Sequence, residues 1–506
     1  MRRWIALSFA AMAVMIAADN LDEARAQLLA KHLDAAIELL RGLVAKDPGA
    51  IEPSVLLAET LLDEERFDEA EDAVEAALTK HPSEAGLERL LGDIRYRGGR
   101  IFDADKAYKA AIKTDPHNAR AIYGISRVFA ASCLRKKASE MLQVAHAIDY
   151  RDSQIANAFY SADRRSQAAI ARMEAELARN RSAADGKADQ ALLRVLKLWI
   201  DEAKALDGKP EFELASADPQ YRIPLTRLMD GRRVTGASLP IRINDAKADL
   251  RFDTGASGIL LGSRFAERAG IQRLGDTEIS GIGNGPAIKA WVGYAPSIRI
   301  GSLEFKNCIV TVPEKGSVDD AGGLIGSDIF RPFLVKIDFK NQSVDLDPLP
   351  GPAWDGHTLV DRYEGPELAG YSQMLIIHHY LLIPTLISET TNAEQTPGLF
   401  LLDTGARLNM ISTQLAPAIT KVRDSDSVRV RGISGKVKMV YEADKVVVQF
   451  ATFRQQIRDL TSFDLAGFSR GAGAEISGIM GLPLIGVFQS VTLDYRDGRI
   501  KFDYKP

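Results

Sequence analysis

One string of residues occurs twice in this chain. Phe252-Asp253-Thr254-Gly255-Ala256 is matched by Leu402-Asp403-Thr404-Gly405-Ala406. Three further matches follow in the same order. Gly281-Ile282-Gly283 pairs with Gly432-Ile433-Ser434, Gly323-Leu324-Ile325-Gly326 with Gly478-Ile479-Met480-Gly481, and Ile337-Asp338-Phe339 with Leu493-Asp494-Tyr495. Their separation drifts slowly, from 150 to 156 residues. A single short motif arises easily by chance, whereas four ordered matches at nearly constant spacing indicate two copies of one fold.

The duplicated region begins near Tyr221, where hydrophobic periodicity changes from 3.6 to 2. Leu239–Asn244, Ala290–Tyr294 and Ser297–Ile300 read as strands. Asp497-Gly498 predicts a hairpin turn between the last two strands. Pro348-Leu349-Pro350-Gly351-Pro352 reads as a linker, dividing residues 221–347 from residues 358–506.

An apolar strand running into Asp-Thr-Gly, then a glycine-rich hairpin, then two apolar residues and a glycine before a final hairpin, resembles the pepsin-like and retropepsin-like aspartic proteases. The resemblance covers roughly residues 221–506. It implies an all-β, bilobal fold with Asp253 and Asp403 as catalytic residues. It also implies that Thr254 and Thr404 hydrogen-bond across the lobe interface. Leu324-Ile325-Gly326 and Ile479-Met480-Gly481 would pack beneath the two catalytic loops. Gly255 and Gly405 would let the loops turn tightly and bring amides near the carboxylates. The tips around Gly281, Ile282 and Gly283, and around Gly432 and Ile433, would be flaps over an extended substrate. An ordinary hairpin turn is the plain alternative for each tip.

Such a site needs one group to activate water and another to protonate the peptide carbonyl. Two carboxyls about 3 Å apart cannot both ionise and therefore share one proton, as in the aspartic proteases on which this rule is based. Which aspartate is base and which is acid stays open at this level. No cofactor or metal is implied. Pepsins usually carry Ser or Thr after Asp-Thr-Gly, whereas this chain has Ala256 and Ala406, as retropepsins do. Losing that hydroxyl predicts an optimum nearer about pH 5–6 than pH 2. Arg407 stands where the first copy has Ser257. A guanidinium reaching the dyad would favour ionisation of both carboxyls, so Arg407 is expected to face solvent or to pair elsewhere.

The N-terminal third has its own period. Pro48, Pro82 and Pro116 are 34 residues apart, as are Ala36, Ala70, Ala104 and Ala138, and Ala58, Gly92 and Ser126. Small residues recur where two helices approach closely, and proline recurs where a helix must end. Over residues 20–150 this resembles the tetratricopeptide repeat, which implies an all-α solenoid with a concave face for peptides or protein partners. Residues 155–206 continue as helix, so residues 151–208 are read as cap and linker, and Gly208–Gln220 as a polar linker.

Arg2-Arg3, the apolar run Trp4–Ala18 and the polar Asp19-Asn20 predict a signal peptide over residues 1–18, hence export to a periplasmic or extracellular space. An uncleaved N-terminal anchor is the alternative. Charge is nearly balanced, with 64 Lys+Arg against 68 Asp+Glu, and no basic run suggests nucleic-acid binding. The two cysteines, Cys133 and Cys308, fall in different regions, which argues against a disulfide. Gly467-Phe468-Ser469-Arg470-Gly471 fits Gly-x-Ser-x-Gly but reads as a loop rather than a nucleophile elbow. His378-His379 reads as part of an apolar strand.

The expectation is therefore a monomeric aspartic endopeptidase of peptides or unfolded proteins, with a repeat domain that binds substrate or a partner. The alternative is an inactive peptide-binding or scaffold protein that keeps the fold.

Overall fold

The computed structural model describes residues 20–162, 170–175, 178, 187–215, 218–314, 322–352, 361–425, 427–458 and 460–504. The proposed signal peptide and the middle of the expected helical cap lie outside these residues. The chain divides into two compact units, residues 1–128 with 138–155, and residues 129–137 with 156–506.

The N-terminal region is a run of paired helices. Helices Ile51–Asp63, Ala85–Arg97 and Ala119–Ala131 alternate with Phe67–Lys80, Ile101–Thr114 and Arg135–Ile148. Pro48, Pro82 and Pro116 sit in the turns between pairs. Asp47 and Asp115, one residue earlier, each accept an amide two residues on, from Gly49 and His117. These side-chain turns end one helix and start the next. Ala36, Ala58, Ala70 and Ala104 are wholly buried. Gly92 shows why the small positions are needed, since a Cβ there would lie 2.5 Å from the buried Tyr108 ring.

In the second unit, helix Lys187–Leu206 buries Leu196, Ile200 and Ala203 against Ile170 and Met173. The remainder is β-structure. One sheet forms each half of the duplication, and a six-stranded sheet joins the halves. In the first half, strand Gly323–Gly326 runs parallel to Ala246–Asp253, with Gly326 opposite Asp253. In the second, Gly478–Met480 runs parallel to Thr396–Leu402 in the same relation. The joining sheet pairs Phe333–Asp338 of the first lobe with Ser490–Asp494 of the second, antiparallel. Apolar side chains from both halves form one continuous core that includes Phe252, Ile325, Leu402 and Met480.

The predicted strands are present with altered limits. Ala290–Tyr294 and Ser297–Ile300 are parts of one long strand, Ile288–Ile300. Leu239–Asn244 lies in Arg233–Ile243, with Asn244 at φ 51° starting the turn. Asp497-Gly498 closes the last hairpin, with Gly498 at φ 63°. The carbonyls of Pro350 and Pro352 in the inter-lobe segment accept from the buried Arg496 guanidinium.

Two expectations are corrected. His378-His379 is the two-residue turn joining Leu375–Ile377 to Tyr380–Ser388, with His378 at φ 57°. The reversal between two apolar strands is invisible when the strands flank it without a break in hydrophobicity. Gly467–Gly471 lies inside helix Ala466–Ala472 rather than in a loop. Ser469 is buried there, and its Oγ accepts the Ile476 amide, so the hydroxyl has a structural use.

Candidate active site

Asp253 ends strand Ala246–Asp253, and Asp403 follows directly on strand Thr396–Leu402. Each strand then turns sharply, so the carboxyl stands where the chain leaves the sheet. Gly255 N donates to Asp253 Oδ1 at 2.8 Å. Gly405 N and Ala406 N donate to Asp403 Oδ1 at 2.8 and 2.9 Å. These amides fix each carboxylate within its own loop.

The loops are clasped by their threonines. Thr254 Oγ1 donates to the Leu402 carbonyl at 2.7 Å and accepts Thr404 N at 3.0 Å. Thr404 Oγ1 donates to the Phe252 carbonyl at 3.3 Å and accepts Thr254 N at 3.1 Å. The clasp brings each carboxyl against the other lobe's loop, close enough for the two to act on each other. Glycine is needed at this approach. A Cβ on Gly255 would lie 2.9 Å from Asp403 Cγ, and one on Gly405 would fall on the Asp253 carboxyl.

Burial pushes both carboxyls above the usual carboxylate range. Burial is the largest cause on each, and on Asp403 the charge of Asp253 acts in the same direction. On Asp253 the rise is opposed by the Gly255 amide, by the neighbouring Asp403 and by the charge of Arg251. Such a pair holds one proton over a range where isolated carboxyls have lost theirs.

The supporting elements also lie where the duplication places them. Gly326 N donates to the Gly258 carbonyl, and Leu482 N to the Ala406 carbonyl. Gly326 thus braces the first loop, and Leu482, the residue after Gly481, braces the second. Three polar braces escaped the sequence reading. Asp328 accepts Ser257 Oγ and Gly258 N, both at 2.9 Å. Asn409 Oδ1 accepts Gly481 N at 3.0 Å. The signal for each was a polar residue within six positions of its motif, too common to single out. Arg407 is exposed, and the cation acting on Asp253 is Arg251.

The two glycine-rich tips meet each other. Ser434 N donates to the Ile282 carbonyl at 3.1 Å, and Gly285 N to the Ser434 carbonyl at 2.7 Å. Gly281 N donates to Ser434 Oγ, and Lys438 N to Asn284 Oδ1. Gly283 has φ 134°, and a Cβ there would lie 2.5 Å from the Ser434 backbone. Gly432 faces the Ile282 carbonyl at similar closeness. Among the described residues, no group of three or more His, Cys, Asp or Glu side chains could hold a metal ion. Nor is any helix among them long and apolar enough to cross a membrane.

The sheet pairing, the threonine clasp and the twin aspartates define an aspartyl-protease type of β unit. Residues 239–329 match the family described as aspartyl protease, and residues 27–94 match the tetratricopeptide repeat. The chain is 32% identical over 122 residues to DNA damage-inducible protein 1 of Chaetomium globosum, covering 23% of this chain and 26% of that protein. It is 32% identical over 103 residues to UBA domain-containing protein Mud1 of Schizosaccharomyces pombe, covering 20% and 30%. The chain thus spans less than a third of the length of these relatives. A crystal structure of MamA is similar at 19% identity and TM-score 0.25, covering 28% of this chain and 81% of MamA.

Proposed function

We propose that this chain is an aspartic endopeptidase that acts on peptides or unfolded segments of exported proteins. One observation carries the reading. Two carboxyls, one from each lobe, are each held against the other lobe's loop by backbone amides and by the crossed threonines. The aspartyl-protease match over residues 239–329 supports it.

The reaction needs one ionised and one protonated aspartate. Water attacks the peptide carbonyl carbon and gives a proton to the ionised carboxylate, while the other carboxyl protonates the carbonyl oxygen. The resulting diol collapses as the carbon–nitrogen bond breaks. The nitrogen takes the proton that came from water, and a diol hydroxyl returns its proton to the second aspartate. No covalent enzyme intermediate forms. The joined tips form an arch that must part to admit an extended chain. Both aspartates lie on one chain, so the active form is a monomer. The repeat unit recruits substrate or a protein partner, a role the tetratricopeptide match supports. Residues 1–18 direct export.

A peptide-cleavage assay on the wild type, Asp253→Asn and Asp403→Asn tests the central claim. Each substitution should abolish cleavage without unfolding the chain. Equal parts of the two single variants should regain nothing if each site is built within one chain. A wild type inactive across about pH 3–7, the range of carboxylate dyads, would leave the peptide-binding or scaffold reading. Fractionation of cells expressing the chain with and without residues 1–18 tests export.

A further inference from the structure

The two lobes deliver their aspartates from strands in equivalent register, yet the neighbouring residues differ in charge. Arg251 lies opposite Leu324 on one side and Ser238 on the other. In the second lobe the equivalent residue is Leu401, opposite Ile479 and Leu382. Each precedes its aspartate by two positions. Side chains alternate along a strand, so Arg251 shares a face with Asp253, and Leu401 shares one with Asp403.

The first lobe has a place built for the guanidinium. Arg251 is 8% exposed, and its Nη1 donates to the Thr235 carbonyl at 2.8 Å. Gly236 leaves the room, because a Cβ there would fall on Arg251 Nη1. The same register puts Tyr380 at the equivalent position of the second lobe, where its ring packs against His379 and Phe468. The second lobe thus has neither the cation nor the gap that seats it.

Resting on the catalytic reading of the dyad, we propose that Arg251 breaks its symmetry. It keeps Asp253 as the ionised member, the general base, and leaves the shared proton on Asp403, the general acid. Arg251 acts through Asp253 and is a positioning residue. Guanidinium groups remain charged when buried, so the bias persists across the working pH range. Backbone amides serve both carboxylates, Asp328 is engaged by Ser257 and Gly258, and Arg407 is exposed. In the cleavage step, water therefore gives its proton to Asp253 and the carbonyl oxygen takes its proton from Asp403. On collapse, the leaving nitrogen takes the Asp253 proton and the diol returns one to Asp403.

The test follows the carboxyl carbon resonances of chain labelled with carbon-13 at aspartate, assigned with Asp253→Asn and Asp403→Asn. In the wild type, Asp253 should ionise first as pH rises. Arg251→Leu, which installs the second lobe's residue, should raise that first ionisation by about one unit, the low end for loss of an adjacent charge. Arg251→Lys should keep most of the wild-type order. The acid limb of the kcat/KM profile should move with the first ionisation. If Arg251→Leu does not fold, Arg251→Gln replaces it, with a donor for the Thr235 carbonyl and no charge. Ionisation of Asp403 first in the wild type, an unshifted first ionisation in Arg251→Leu, or an equal shift in Arg251→Lys would overturn the proposal. The titration reads this order whether or not peptides are cleaved. A chain that cleaves nothing therefore defeats the protease reading, whereas a wrong order defeats the role of Arg251.

Discussion

Thr254 and Thr404 each donate a hydroxyl to the carbonyl just before the other's aspartate, and each accepts the other's amide. Four hydrogen bonds thus join two lobes at a point where both side chains are nearly inaccessible, at 1% and 4% exposure. The relation is reciprocal, so damage on one side leaves unpaired groups on both.

Thr254→Val removes one hydroxyl and strands the Thr404 amide and the Leu402 carbonyl in the interior. Each unpaired buried group costs about 1–3 kcal/mol, so urea unfolding should show a loss of about 3 kcal/mol. Thr254→Ser keeps the hydroxyl and should recover most of it. A valine variant as stable as the wild type would show that the clasp contributes little.

Burial lifts both dyad carboxyls, so the singly protonated form should be centred above the ordinary carboxylate range. Cleavage should fall at low pH as the base is protonated and at high pH as the acid ionises. The expected optimum is about pH 5–6, with Ala256 and Ala406 supplying no hydroxyl to stabilise the ionised pair. A kcat/KM profile peaking below about pH 3 would contradict this.

Asp494 offers a stability test away from the dyad. Burial and the nearby Asp497 push its carboxyl up to about 6, against the amides of Arg496 and Asp497 and the Arg496 charge. Its Oδ2 is buried with no partner among the described residues. A folded pKa above the unfolded one means that its stabilising contribution is full below about pH 4 and is lost as pH rises through about 6. Asp494→Asn should therefore raise unfolding stability at pH 7.5 by on the order of 2 kcal/mol, seen as a higher Tm, and gain much less at pH 4. Equal effects at both pH values would mean that the charge is not responsible.

Gly283→Ala should separate the tips. Its φ of 134° disfavours any side chain, and the added methyl meets the Ser434 backbone. Hydrogen exchange at the Gly285 and Ser434 amides should quicken by at least about tenfold, the effect of about 1.4 kcal/mol lost from the closed arch. Unchanged protection would mean that the tips are held by something other than this contact.

Much of this protein was legible before folding. The duplication, the two aspartates with their threonines and glycines, and the 34-residue period are repeated patterns, and repetition survives in one dimension. Strand and helix types followed from periodicity, because burial on one face imposes a spacing on the sequence. The pairings that matter at the site were not so encoded. Thr254 meets Leu402 and Asn284 meets Lys438 across about 150 residues, and nothing local marks such partners. The turn at His378-His379 and the helix around Ser469 were hidden because apolar runs and glycine-rich stretches suit more than one backbone. Arg251 read as an ordinary strand residue. Only the register of two strands, which sets it beside Asp253 and sets Leu401 beside Asp403, gives the paired aspartates different surroundings. The sequence by itself determined that there would be two like carboxyls. The tertiary structure made them unlike, because a charge acts through distance and burial, and both are properties of the fold.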